Sequence, residues 1–385
     1  MKAGSGGGGG AGAGAGGRAR ADCGAVVGLD HVNLRVPSYL GGQLFFSEGL
    51  GLAPDPGVSF RGRGGPGVAW YNVGRQQFHI LAPVTAEARP DHVDVVRGRF
   101  HLAAGGSLAA LEARLEAVRE SGVFKGTSFD FRSVPECNGS GGAAASPLSG
   151  KLSWLGSPRG DARGAPPAGA PGGTEVQCME VDCPWGNRFV VWPKGRGPPT
   201  LEGGAGAGGG WAPFPPGLGI SCIELECGEG RAEAIASFYR DYLGARTAAT
   251  GGSAEIWVGP GTRLLFRETE SALAEGFLGS EWHLALMTAD FSATYDRFRG
   301  SDLIYNDHPF KDKCYCLEEA LGNSQFRFQY LVASEEISME EATEGDRRVA
   351  GSILHQLQHE VRNLSHPCWG RFLFNRTEMD GEPML

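Results

Sequence analysis

Residues 29–52 read LDHVNLRVPSYLGGQLFFSEGLGL, and the fold turns on how this stretch is cut. From Val26 to Val36 apolar and polar side chains alternate, the period of a strand with one buried face. Pro37-Ser38 ends that run, since proline lacks a ladder N–H and serine favours a helix start. LGGQLFFSEGLGL follows as a short amphipathic helix that stops at Gly49 or Gly51. Short strands around 57–61, 66–73 and 75–82, punctuated by Gly and Pro, complete the order βαβββ.

The same order recurs along the chain. FHLAA (100–104) is a strand, and SLAALEARLEAVRESG (107–122) is a helix with Leu108, Leu111, Leu115 and Val118 on one face. SFDF (128–131) is a strand, and VQCMEVDCPWGNRFVVW (176–192) is a hairpin turning at Pro184–Asn187. Further on, LGISCIELEC, GRAEAIASFYRDYLGA and SAEIWVGPGTRLLFRE give a strand, a helix and a strand pair. EWHLALMT, FSATYDRFRG and SQFRFQYLV give a fourth unit. LDHVNL…FFSEGLGL lines up with ISCIEL…FYRDYLGA, and FHLAAG with WHLALM, so the two halves read as a duplication. LHQLQHEVRNL (354–364) falls outside these units as an alternating strand. His355, Leu357, His359 and Val361 share one face, and Leu354, Gln356, Gln358 and Glu360 the other. On a strand His355 and His359 are about 13 Å apart, too far to chelate one ion.

Composition narrows the function classes. Of 63 glycines, 29 fall in residues 1–22, 138–173 and 194–218, which read as a tail, an insertion and a linker. A net charge of −9 without a basic block argues against nucleic acid as a partner. No apolar run is long enough for a membrane span, and no signal-peptide pattern appears, so an intracellular, cytoplasmic location is expected with organelle import left open. The cysteines are odd in number (9), without CxxC, and mostly within apolar runs: buried thiols in a reducing compartment. Cys222, in GISCIEL, reads as an inert thiol.

LDHVNLRVPSYLGGQLFFSEGLGL, FYRDYLGA and the hairpin CPWGNRFVVW are similar to the recurring pieces of the vicinal oxygen chelate superfamily, which includes glyoxalase I, extradiol dioxygenases and bleomycin-resistance proteins. The resemblance covers most of 26–335 and implies an α+β fold: two tandem vicinal-oxygen-chelate domains built from four βαβββ units forming curved sheets. It divides the chain into a tail (1–22), a first domain (23–193), a linker (194–218), a second domain (219–335) and a C-terminal extension (336–385).

In that superfamily metal ligands come from the first and last strands of each unit. Carried over, the first-strand positions are His31 and His101, and the last-strand position of the first unit is His79. Val190 stands where the family typically has Glu, with Glu180 and Asp182 as local carboxylates on the adjacent strand. The corresponding positions of the second half are Cys222, about Leu265, His283 and a residue among Arg327 to Gln329. The resemblance thus implies a divalent metal (Fe, Mn or Zn) at His31, His79 and His101, with no catalytic residue assigned. Asn33 and Arg35 share the His31 face and are the expected substrate-binding groups. A different pairing of units would instead put His283 beside His31 and His79. The implied function is a metal-dependent glyoxalase or dioxygenase-type enzyme acting on a small oxygen-rich or carbonyl molecule, with homodimerisation compatible. The alternative is a metal-free protein that sequesters a small molecule.

Overall fold

The computed structural model describes residues 25–56, 66–83, 93–135, 176–198, 200–201, 218–270, 282–308, 310–333, 353–371 and 373–375. The strand expected at 57–61, the tail 1–22, the insertion 138–173, most of the linker 194–218 and the acidic run 334–346 lie outside these residues. The chain divides into two units. One comprises 1–33, 198–216 and 221–372; the other comprises 34–197, 217–220 and 373–385.

The second of these holds most of the first two βαβββ runs. Strand β1 (Val26–Arg35) ends in it, and α1 (Tyr39–Gly42) follows. Ser38 caps α1 by accepting the Gly41 N–H at 3.2 Å. The helix widens into a π-helical turn over Gln43–Gly49, and the adjacent Phe45 and Phe46 are both buried. β2 (Ala53–Pro54), β3 (Pro66–Val73) and β4 (Gln76–Pro83) then pair antiparallel. Gly74, in the two-residue β3–β4 turn, has φ +67°, and a Cβ there would sit 1.9 Å from the Leu218 carbonyl oxygen. β5 (Gly98–Ala103), α2 (Leu108–Glu120), β6 (Asp130–Pro135), β7 (Val176–Asp182) and β8 (Arg188–Trp192) form the next run. Here β5 lies parallel to β8, and β6, β7 and β8 form an antiparallel series. Leu111, Leu115 and Val118 bury the α2 face read from the sequence. Phe45, Phe46, Phe78, Phe100 and Phe189 make an aromatic core with ring centroids 5.1–6.1 Å apart.

The other unit begins with Val26–Asn33 of β1 and resumes at β9 (Gly219–Gly228), α3 (Ala232–Leu243), β10 (Thr247–Thr250), β11 (Ser253–Gly259) and β12 (Thr262–Thr269). Gly244 closes α3 in the left-handed conformation at φ 62°. β13 (His283–Thr288), α4 (Phe291–Gly300), α5 (Leu317–Asn323), β14 (Gln325–Val332) and β15 (Ile353–Asn363) complete it. β10, β11, β12 and β9 hydrogen-bond in that order. A second set runs β14, β15, β13, β1.

That second set revises one reading of the sequence. The 354–364 strand forms as expected, with the expected faces, but it does not lie outside the fourth unit. It enters between β13 and β14, parallel to the first and antiparallel to the second. It thereby becomes the closing strand of that unit. Its His359 face is core: the ring stacks on Phe328 at 4.3 Å, and its Nε2 accepts the Tyr239 hydroxyl at 2.8 Å. Among the described residues no helix is long and apolar enough to cross a membrane.

Candidate metal centre

One rung of the β1–β13–β15–β14 ladder places four residues side by side. His31 pairs with Ala285, Ala285 with Glu360, and Glu360 with Arg327. Residues two apart on a strand share a face, so His283 and Arg362 flank this rung on the same side. The opposite side carries Leu284, Leu286, Leu357, Val361, Phe326 and Phe328, all buried. An apolar face therefore fixes the sheet, and the other face gathers polar groups around the small side chain of Ala285.

Among the described residues, His31, His283 and Glu360 offer three ligand atoms that all lie within 4.8 Å of one another. His31 Nε2 and His283 Nε2 are 3.3 Å apart, and His283 Nε2 is 3.5 Å from Glu360 Oε2. All three residues are at most 3% exposed. His31 and Glu360 each have supporting partners, whereas the buried His283 Nδ1 has none among the described residues. Between Leu29 and His31 the register with β13 shifts, leaving Asp30 as the extra residue of a β-bulge. Strict alternation would send Asp30 away from His31; instead its Oδ2 accepts the His31 Nδ1–H at 2.9 Å. That bond fixes the tautomer and turns the Nε2 lone pair toward the cluster.

Glu360 is held by two buried guanidiniums. Arg327 and Arg362 each donate to it at 2.5 Å, and Arg362 reaches back to Asp30 at 2.6 Å. Arg327 also donates to Asp312 at 2.7 Å. Burial opposes ionisation of Glu360, but Arg362 and Arg327 outweigh it and hold the carboxyl well below its usual range. The imidazoles move down as well. Burial, reinforced by Arg362, lowers His31 well below its usual value. Burial, reinforced by Arg327, lowers His283 to about 3. At neutral pH the cluster is thus two neutral imidazoles and one carboxylate.

These donors fit a divalent metal. Ligand atoms about 2.1 Å from one ion and about 90–110° apart stand about 3.0–3.4 Å from each other, close to the two spacings here. Neutral imidazole and ionised carboxylate are also the protonation states that ligation requires. Two imidazoles and one carboxylate are a donor set that first-row divalent metals take up.

The residues expected from the sequence divide accordingly. His31 belongs to the cluster; His79 and His101 are not among its three members. The His79 ring stacks on Trp70 at 3.9 Å, and its Nε2 lies 3.1 Å from Gln77 Oε1. His101 accepts the Trp192 indole N–H at Nδ1, 3.1 Å. Val190 sits opposite His101 in the β5–β8 ladder and packs with Cys178 and Trp192, a core position. Glu180 is ion-paired with Arg132. Asn33 lies directly across from His283 in the ladder. The Arg35 backbone N–H donates to Asp94 at 2.7 Å. Burial pushes the Cys222 thiol up to about 12, as an inert thiol requires. Glu360 was missed as a ligand because the closing strand of the fourth unit was sought one strand too early. The available signal was a glutamate and an arginine two residues apart, on the strand face opposite Leu357 and Val361.

The units read β1-α1-β2-β3-β4, β5-α2-β6-β7-β8, β9-α3-β10-β11-β12 and β13-α4-α5-β14-β15. Three follow βαβββ, and the fourth keeps its first and last strands as neighbours. This is the element order that the sequence resemblance implies.

No protein-family model matches the chain, and no curated protein matches it by sequence. Several solved structures align with it. A glyoxalase I variant from Zea mays is 10% identical, covering 87% of this chain and 93% of its own, with a TM-score of 0.44. A putative dioxygenase from Bacillus subtilis is 13% identical, covering 88% and 86%, with a TM-score of 0.44. A 4-hydroxymandelate synthase variant from Streptomyces coelicolor is 12% identical, covering 88% and 92%, with a TM-score of 0.26.

Proposed function

We propose that the protein is a divalent-metal-dependent enzyme of the glyoxalase or dioxygenase type, acting on a small oxygen-rich or carbonyl substrate, with His31, His283 and Glu360 as the ligands. The observation that carries this is the 3.3 and 3.5 Å spacing of three buried donors in ligating protonation states. When bound, the ion supplies Lewis-acid polarisation of substrate oxygen. The protein's own residues do the rest. Asp30 orients His31, while Arg327 and Arg362 hold Glu360 ionised and in place. Ala285, between His31 and Glu360 on the ladder, presents only a methyl group to them. The metal-free sequestration alternative leaves this supported cluster without a role.

Elemental analysis of the purified protein beside single variants tests the reading. One equivalent of Fe, Mn or Zn, lost in His31→Ala, His283→Ala and Glu360→Gln and kept in His79→Ala and His101→Ala, is the expected result. Loss in His79→Ala or His101→Ala returns the site to the set expected from the sequence. Metal retained in His31→Ala and His283→Ala, or none after reloading, overturns the proposal.

A further inference from the structure

Tyr305, His308, Phe310 and Asp312, between α4 and α5, lie beside the polar face of the candidate metal cluster. The Tyr305 N–H donates to the Arg327 carbonyl at 2.7 Å, and Asp312 accepts from Gln325 and Arg327. The Phe310 ring lies 6.4 Å from the His283 ring, edge on, and the Arg327 guanidinium sits 4.5 Å over it. His308 packs against Phe310 at 5.7 Å and Tyr305 at 5.5 Å.

His308 is the unexplained group in this wall. It is 5% exposed, yet neither ring nitrogen has a hydrogen-bond partner among the described residues. The Asp312 Oδ1 atom is 3.9 Å from Nδ1, beyond hydrogen-bond range. Folded proteins rarely leave a buried donor and acceptor unmet, and such exceptions call for a functional reading. Burial lowers the His308 pKa, so near pH 7 the ring is neutral and offers one donor and one acceptor. Phe310, 39% exposed, is the adjoining apolar surface.

We infer that His308 is a substrate-contacting residue whose ring nitrogens hydrogen-bond a polar group of the substrate, with Phe310 covering a flat apolar part of the same molecule. This rests on the metal reading above. The charges support a singly anionic ligand. In the connected chain Asp30–Arg362–Glu360–Arg327–Asp312, three carboxylates face two guanidiniums. A divalent ion beside two neutral imidazoles therefore leaves one positive charge to balance.

The test uses the full-length protein loaded with Co(II) and titrated with salicylate, a flat monoanion with two adjacent oxygen groups. Cobalt absorption bands and the ¹⁵N shifts of the His308 ring are followed. His308→Phe should weaken salicylate about tenfold or more, with cobalt affinity unchanged. His308→Asn, which keeps an amide donor and acceptor, should recover part of that loss. Phe310→Ala should weaken salicylate but not oxalate, which chelates without a ring. Equal salicylate affinity in wild type and His308→Phe overturns the inference, as does a cobalt-loaded wild type that takes no salicylate. Should His308→Phe fail to fold, the wild-type spectrum decides: His308 ring shifts that do not move with salicylate overturn it. Failure to bind cobalt, or cobalt retained in His31→Ala and His283→Ala, overturns the metal reading itself and is seen before salicylate is added.

Discussion

The Nε2 atoms of His31 and His283 meet at 3.3 Å across a sequence separation of 252 residues. The contact exists because β1 and β13 are ladder neighbours, and it is directional because Asp30 occupies the far nitrogen of His31. Asp30→Asn keeps the shape and all three ligands but removes the anionic acceptor. Metal affinity should fall about 10–100-fold, as for other carboxylate–histidine supports. Competition against a chromophoric chelator measures it, and an unchanged affinity would show that Asp30 does not orient the ligand.

Ala285 sits between His31 and Glu360 on the ladder. Ala285→Leu adds volume into the space where the donors converge and deletes no donor. Metal binding should be lost while the variant still unfolds cooperatively, with overpacking costing about 1–3 kcal/mol. Full metal content in Ala285→Leu would mean that the donors meet elsewhere.

Glu360 is the common acceptor for Arg327 and Arg362, and all three are at most 7% exposed. Glu360→Gln leaves two buried guanidiniums facing a neutral amide. Breaking a buried pair costs about 3–5 kcal/mol when it strands the charge; here Arg362 keeps Asp30 and Arg327 keeps Asp312, so a loss toward the lower end is expected. Urea unfolding of the metal-free proteins separates this from any effect of ligation. A loss under about 1 kcal/mol would show that Asp30 and Asp312 or water already satisfy the arginines.

Acid should weaken the metal-free fold early. Burial lowers His283 to about 3, His355 to about 4 and His359 to about 3, whereas in the unfolded chain each titrates near about 6.5. Between about pH 6.5 and 4 the unfolded chain binds more protons, so stability falls as pH drops through that window and levels off above it. Each histidine contributes about 2 kcal/mol between pH 7 and 5. His355→Phe, which keeps a ring against Phe266, should make the fall about 2 kcal/mol shallower. Urea unfolding at the two pH values checks this, and equal falls in both proteins would count against it.

Local pattern carried a large part of this molecule. Alternation located β1 and β15, helical spacing located the buried face of α2, and the glutamate that completes the site was already on the correct face of its strand. What periodicity does not encode is which strands become neighbours. Placing His283 beside His31 is a choice between pairings hundreds of residues apart. Glu360 shows the same limit, since its burial is tolerable only because β14 brings Arg327 alongside and Arg362 follows two residues on. Asp30 shows a different limit: strict alternation would face it away from His31, and the register shift beside Leu29 brings its carboxylate to that neighbour's Nδ1.

A site shared by β1, β13 and β15 also sets a timetable. At about 5–20 residues per second, the 252 residues separating His31 from His283 take on the order of 10–50 s to synthesise, and β15 comes later still. Throughout that interval the edge of β1 that will bind β13 remains an unpaired strand edge, the kind of surface that recruits wrong partners. On the proposed ligand set, metal loading would be a late event in the life of the chain, reporting that β15 has arrived. A copy cut short before Ile353 would carry both histidines and not Glu360, so on the proposed ligand set loss of metal would be a sensitive sign of C-terminal clipping.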